Sequence, residues 1–211
     1  MLELIIHKIM ISFERYKDEI ESIGVGKIHL IRSWLDEMNI KKYTINDDHT
    51  INVNGDVDLR NKKIISFPKY IQFNKIRGSF DCSYNFLKTL KGTPYEVNIN
   101  FYCDNNRLSS LEFGPEIVNG GYFCNNNKLV MLKGIPKKIN TLSCCYNELE
   151  TLDGIPSDIE ENLYCYENLL DSLDSLPDYV KGSLQINFKT ANIGVHDIRN
   201  RCHVGGMITI K

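Results

Sequence analysis

The chain has 211 residues, with 25 Lys and Arg against 27 Asp and Glu, and 42% of it is hydrophobic. That length fits one domain, or one solenoid with caps, and that apolar fraction excludes wholesale disorder. The balanced charge excludes a global pull towards nucleic acid or membrane, and no stretch is apolar for long enough to cross a bilayer.

The opening run, MLELIIHKIMISF, carries Glu3, His7 and Lys8 within its apolar part and has no small-residue cleavage site, so it does not read as a signal peptide. Leu2, Ile5, Ile6, Ile9 and Phe13 instead fall on one side of a helix expected over 2–21. A second helix is expected over 27–39, where HLIRSWLDEMNI carries the only tryptophan, Trp34. YTINDDHTINVNGDVDL then reads as a hairpin, with strands at 44–46 and 50–53 around Asp47-Asp48-His49.

Next comes a repeat. FDCSYNFLKTLKGTP, FYCDNNRLSSLEFGP, YFCNNNKLVMLKGIP, LSCCYNELETLDGIP and LYCYENLLDSLDSLP align on Asn85, Asn106, Asn127, Asn147 and Asn168, at steps of 21, 21, 20 and 21 residues. Two leucines follow each asparagine, as Leu87 and Leu90 do in the first unit and Leu170 and Leu173 in the last. A proline closes each unit, from Pro94 to Pro177, and three residues later stands Val97, Val118, Ile139, Ile159 or Val180. Degenerate copies flank the array: VDLRNKKIISFP at 57–68 and LQIN at 184–187.

Period-2 alternation places the pairs Val57/Leu59, Phe80/Cys82, Phe101/Cys103, Tyr122/Cys124, Leu142/Cys144, Leu163/Cys165 and Leu184/Ile186 inward, on about seven stacked parallel strands. No coil can bury its apolar side alone, so stability is a sum over neighbouring coils. The repeated asparagine turns the chain, and its amide can serve backbone groups of adjacent coils. A unit this short leaves little room for a helix on its outer arc. The expected organisation is a helical N-terminal cap over 1–45, the solenoid over 46–190, and a C-terminal cap over 191–211 that holds the strand-like MITI and a Gly205-Gly206 turn.

The unit L-x-C-x-x-N-x-L-x-x-L-x-G-x-P resembles the short leucine-rich repeats of bacterial and bacteriophage proteins. The lead-in WLDEMNIKKYTINDDHTINVNGDVDL is similar to the segment that precedes such arrays in many tailed-phage proteins. The resemblance covers about residues 30–190. It implies an α/β solenoid that is mostly β, a leucine-rich-repeat stack, and a phage origin. The repeats also resemble those of secreted bacterial effectors that carry a ubiquitin-ligase domain. The catalytic cysteine of those effectors lies in a large domain after the repeats, and roughly two dozen residues follow the array here, so that activity does not carry over.

Seven cysteines, an odd count without a secretory signal, argue for a reducing compartment. Leu59 and Ile186 fill the cysteine slot at the two ends, so the slot reads as a small buried hydrophobe. Cys145 is expected to point outward and to be the one exposed thiol of the array. Cys202-His203 is too sparse for zinc, and neither a metal nor another cofactor is expected. His7, His29, His49, His196 and His203 stand at no fixed offset from a nucleophile. Gly78, Gly92, Gly114, Gly134 and Gly154 read as repeat-turn glycines and not as a phosphate loop, so the chain is not expected to be an enzyme.

The strand face carries the functional expectation. Tyr102, Phe123, Tyr164 and Tyr166, with Tyr84 and Tyr146 at the strand exits, make an outward aromatic band, where large apolar groups need a reason. Aromatic residues, tyrosine above all, are enriched at interface cores and hot spots. Asp81, Asp104 and Asn125 would supply the polar contacts that fix a partner's orientation. Residues 60–91 hold eight Lys and Arg against Asp81, whereas residues 139–180 hold ten Asp and Glu and no Lys or Arg. Such ends can steer a dipolar partner or favour self-association. The expected function is a non-catalytic module that binds a protein of the bacterial host, in the host cytoplasm, as an adaptor or inhibitor. The other class is a virion component.

Overall fold

The computed structural model describes residues 24–189 and 192–211; the helix expected over 2–21 lies outside them. Helix α1, Gly24–Glu37, buries Ile31, Trp34 and Leu35, the i, i+3, i+4 spacing of a core-facing helix stripe. It ends where Asn39 turns to a positive φ of 59° and the Ile40 N–H closes back onto Leu35 O at 2.8 Å. The hairpin follows, with Tyr43–Ile45 antiparallel to Ile51–Val53. Its turn is held by Asp48, whose Oδ1 accepts from both the backbone N–H and the hydroxyl of Thr50.

From Val57 onward the chain winds as a mostly β parallel solenoid of about eight turns, with one helix within it among the described residues. Its main sheet holds eight parallel strands: Val57–Asp58, Phe80–Asp81, Phe101–Tyr102, Tyr122–Phe123, Leu142–Ser143, Leu163–Tyr164, Leu184–Ile186 and Ile208–Ile210. The eighth is the MITI segment, so the expected C-terminal cap supplies one more coil. The step from Leu184 to Ile208 is 24 residues, and the extra length accommodates α2, Val195–Arg201, on its outer arc. The other arcs hold turns and bends in place of helix.

A second ladder, absent from the sequence reading, runs beside the first. Three residues after Pro94, Pro115, Pro156 and Pro177 the valine or isoleucine stands in a two-residue strand: Glu96–Val97, Ile117–Val118, Asp158–Ile159 and Tyr179–Val180. Glu96–Val97 pairs in parallel with Ile117–Val118, and Asp158–Ile159 with Tyr179–Val180, and each strand buries its aliphatic residue. Among the described residues the ladder forms five- and three-stranded sheets, with Ile139 joined to Ile159 by a single bridge.

The inward pairs expected from the alternation are all buried. Their packing changes along the stack. The N-terminal coils are filled by aromatic rings, running Trp34, Phe73, Phe80, Phe101, Tyr122 at centroid separations of 6.3, 5.3, 5.8 and 4.9 Å. Leu142, Leu163 and Leu184 take over in the same slot. A compensation accompanies the change. In the slot before the proline, Thr93 and Gly114 stand in the aromatic half, and Ile135, Ile155 and Leu176 in the leucine half. A methyl on Gly114 would lie 2.9 Å from the Tyr122 hydroxyl, so this glycine makes room for the ring.

Gly114 therefore differs from its expected counterparts. Gly92, Gly134 and Gly154 take φ of 98°, 97° and 95°, as an arc turn requires. In the Gly114 coil that conformation falls one residue earlier, on Phe113, at φ 67°.

The asparagines form a continuous ladder inside the stack. Asn127 Nδ2 donates to the carbonyls of Cys103, Cys124 and Asn125 at 3.0, 3.2 and 3.2 Å, and its Oδ1 accepts from Leu108 N at 3.0 Å. Asn85, Asn106, Asn147 and Asn168 repeat the pattern. The carbonyls of Cys82, Cys103, Cys124 and Cys144 each accept from two successive asparagines, which stitches together the coils from Asn85 to Asn168. The residue before each asparagine (Tyr84, Asn105, Asn126, Tyr146 or Glu167) takes a left-handed φ of 52–56°.

Candidate functional site

On the strand face, the parallel register sets side chains in columns, one row per coil. The first column reads Asp58, Asp81, Tyr102, Phe123, Ser143, Tyr164, Gln185, Thr209. The second, two residues on, includes Arg60, Ser83, Asp104, Asn125, Cys145, Tyr166, Asn187 and Lys211. The left-handed residues at the strand exits form a third.

This arrangement divides the expected aromatic band. Tyr102 and Phe123 stack at 4.7 Å with ring planes 14° apart, and Tyr102 accepts a hydrogen bond on its hydroxyl from Asn100 Nδ2 at 2.9 Å. Ser143 follows in that column and separates Tyr164 from the pair by one row. Tyr146 and Tyr166 meet edge to face at 5.5 Å, and Lys211 Nζ stands 3.5 Å over the Tyr166 ring. Asp81 lies towards the basic end, its Oδ1 accepting from Ser83 N at 2.9 Å and its Oδ2 3.5 Å from Arg60 Nε.

Five of the nine expected residues line one depression. Tyr84, Asp104, Asn125, Tyr146 and Tyr166 surround a volume of about 310 Å³ together with Asn105, Asn126, Ser143 and Cys145. Its floor is a chain of hydrogen bonds across three coils. Asp104 Oδ1 accepts from Asn125 N and Nδ2 at 2.8 and 2.7 Å. Asn125 Oδ1 in turn accepts from the Ser143 hydroxyl and from Cys145 N, both at 2.8 Å. The rim is open and carries the exposed rings of Tyr84 and Tyr146, at 56% and 49%, with Asn105 and Asn126 between them.

Burial governs the protonation of the floor. It pushes the Asp104 carboxyl up, the bonds from Asn125 partly offset this, and the negative charge of Asp81 adds to the rise. Burial also pushes up the thiols of Cys82, Cys103, Cys124, Cys144 and Cys165 strongly, which keeps them protonated and poorly nucleophilic at neutral pH.

Cys145 corrects the sequence reading. It does sit on the strand face, yet it is 3% exposed. A short side chain set between larger neighbours disappears beneath them: its sulfur lies 4.0 Å from Ser143 Oγ, and it interacts with Tyr166 from the next coil. Ser83 and Ser143 are buried on the same face. Asn105 and Asn126 were missed as lining residues. Their signal was available, since they share the slot before the ladder asparagine with Tyr84 and Tyr146.

Among the described residues there is no group of three or more His, Cys, Asp and Glu placed to hold a metal ion. No helix among them is long and apolar enough to cross a membrane. The fold and face together define a parallel β solenoid with a polar-floored, tyrosine-rimmed depression. No family model, curated protein or solved structure matches this chain.

Proposed function

We propose that the chain is a non-catalytic protein-binding module that docks its partner on the strand face. On this reading it is a leucine-rich-repeat protein of a tailed bacteriophage, acting in the host cytoplasm as an adaptor or inhibitor of a host protein. The observation that carries the reading is the depression itself. Exposed tyrosine rings stand around hydrogen-bonding groups whose positions are set by neighbouring coils. Rings held on a sheet lose little conformational freedom on docking, so their apolar area contributes to affinity with little ordering cost. The basic stretch at 60–91 and the acidic stretch at 139–180 then favour one orientation of approach.

The test is capture from host lysate, followed by a Tyr84→Ala, Tyr146→Ala double variant and by Tyr102→Ala. Both should weaken the captured partner by at least about tenfold without lowering Tm, because hot-spot truncations cost upwards of 2 kcal/mol. Normal binding by both variants would move the interface elsewhere. Stoichiometric presence in purified virions would favour the structural class over the adaptor.

A further inference from the structure

We propose that the tyrosine-rimmed depression takes a lysine or arginine side chain of the partner protein, with the Asp104 carboxylate as its counter-ion. This deepens the strand-face reading and rests on it.

The argument begins with an imbalance of charge. Asp58 is matched by Arg60 at 2.8 Å, and Asp81 lies 3.5 Å from the same guanidinium. Asp104 forms no ion pair among the described residues. Its Oδ1 is committed to Asn125, and its Oδ2 accepts no hydrogen bond from them. A part-buried carboxylate whose Oδ2 accepts no hydrogen bond from the described residues, lining an open depression, is a site for a donor that brings its own positive charge.

The walls favour the same ligand. The negative face of an aromatic ring attracts cations; Tyr166 already holds Lys211, and the exposed rings of Tyr84 and Tyr146 are left for the ligand. The chain already uses this chemistry at three places: Lys211 over Tyr166, the Arg107 guanidinium 4.8 Å over Phe86, and Lys91 Nζ 5.3 Å over Phe113. The side-chain amides of Asn105 and Asn126 make no hydrogen bond with the described residues, which leaves their oxygens for further donors. The bound cation would also relieve the repulsion between Asp104 and Asp81.

The pH dependence has a definite sign. The Asp104 carboxyl titrates above its ordinary value, so the ligand is released, as pH falls, at a higher pH than an ordinary aspartate would give. The same raised value means that ionised Asp104 opposes folding: its stabilising contribution is present at low pH and is lost as pH rises through the raised value. Asp104→Asn should therefore raise Tm at neutral pH while it weakens binding, two effects that a merely structural aspartate would not combine.

The experiment is a titration of the full chain with N-acetyl-arginine amide, with N-acetyl-citrulline amide as its neutral isostere, followed by NMR at the Asp104 carboxyl and the Tyr84 and Tyr146 rings. The arginine probe should saturate in the millimolar range and bind at least about tenfold more tightly than citrulline, the scale expected of a charge-assisted contact. Asp104→Asn should remove that preference. Equal binding of citrulline, an unchanged preference in Asp104→Asn, or no saturable shift up to about 50 mM would overturn the proposal. Failure of the broader reading shows separately. Normal binding of the captured partner by both the Tyr84→Ala, Tyr146→Ala variant and Tyr102→Ala defeats the strand-face assignment. Lost partner binding without an arginine preference defeats the counter-ion alone.

Discussion

Between Ile139 and Leu142 the chain spends two residues, Asn140 and Thr141, where every other coil spends three on the same turn. The two sheets on either side of that turn respond differently. The main sheet continues without a shift, pairing Tyr122 with Leu142 and Leu142 with Leu163. The second sheet stops at Ile117–Val118 and resumes at Asp158–Ile159, with Asn140 N–H drawn onto Gly120 O. A cleft of about 640 Å³ opens there, lined by Glu116, Ile117, Lys137 and Lys138 among others.

The difference lies in what holds each sheet. Backbone pairing is common to both, but the main sheet is followed at once by the asparagine ladder. At the short coil Asn147 still reaches the carbonyls of Cys124 and Cys144 at 3.1 Å. A one-residue deficit is therefore absorbed by the side with fewer hydrogen bonds. The face proposed to bind is the one that kept its register, as pre-organisation requires.

The comparison can be broken most forcefully at the ladder. Asn127→Ala leaves the buried Leu108 N–H without a partner and removes one of two side-chain donors from the Cys103 and Cys124 carbonyls, and should cost roughly 1–3 kcal/mol in denaturant unfolding. A cost below about 0.5 kcal/mol, the range of surface substitutions, would mean that water replaces the amide freely.

Next is the volume exchange between Gly114 and Tyr122. Gly114→Ala should destabilise by about 1–3 kcal/mol through overpacking. Tyr122→Phe removes a buried hydroxyl that has no hydrogen-bond partner among the described residues, so it should be neutral or stabilising. In a double-mutant cycle Tyr122→Phe should recover part of the Gly114→Ala loss. The remainder reflects Leu111 O, 2.9 Å from the added methyl.

How much of this was legible in sequence differs by element. The Phe-x-Cys strands and the ladder asparagines were readable because identical residues recur at a fixed step, and each recurrence constrains the others. The second ladder escaped because each of its short strands buries a single valine or isoleucine, with no second inward residue at i+2 to show alternation. The eighth strand was read as a cap because its coil carries neither the ladder asparagine nor the closing proline. At the site, the columns followed from register, and even the break at Ser143 stands in the alignment. The Asp104–Asn125–Ser143 chain and the covering of Cys145 by Tyr166 depend on side chains that meet only after coils stack, so no single unit announces them.

Two smaller effects sharpen the same contrast. Inserting a glycine between Asn140 and Thr141 restores the three-residue turn; stability should change by less than about 1 kcal/mol while the amides at 138–140 gain exchange protection. If the second sheet remains split, the short turn is not the cause of the break. Glu167 holds a left-handed conformation that Asn105 and Asn126 adopt more easily, so Glu167→Asn should stabilise by a few tenths to about 1 kcal/mol.

The most direct test of the central claim, that the ladder makes the strand face the rigid side of the solenoid, is native-state hydrogen exchange resolved by residue. The amides of Cys82, Cys103, Cys124 and Cys144 should exchange only through global unfolding, whereas those of Asn98, Asn119 and Lys181 in the second sheet should open at lower free energy. Equal protection of the two sets, or faster exchange in the cysteine strands, would contradict it.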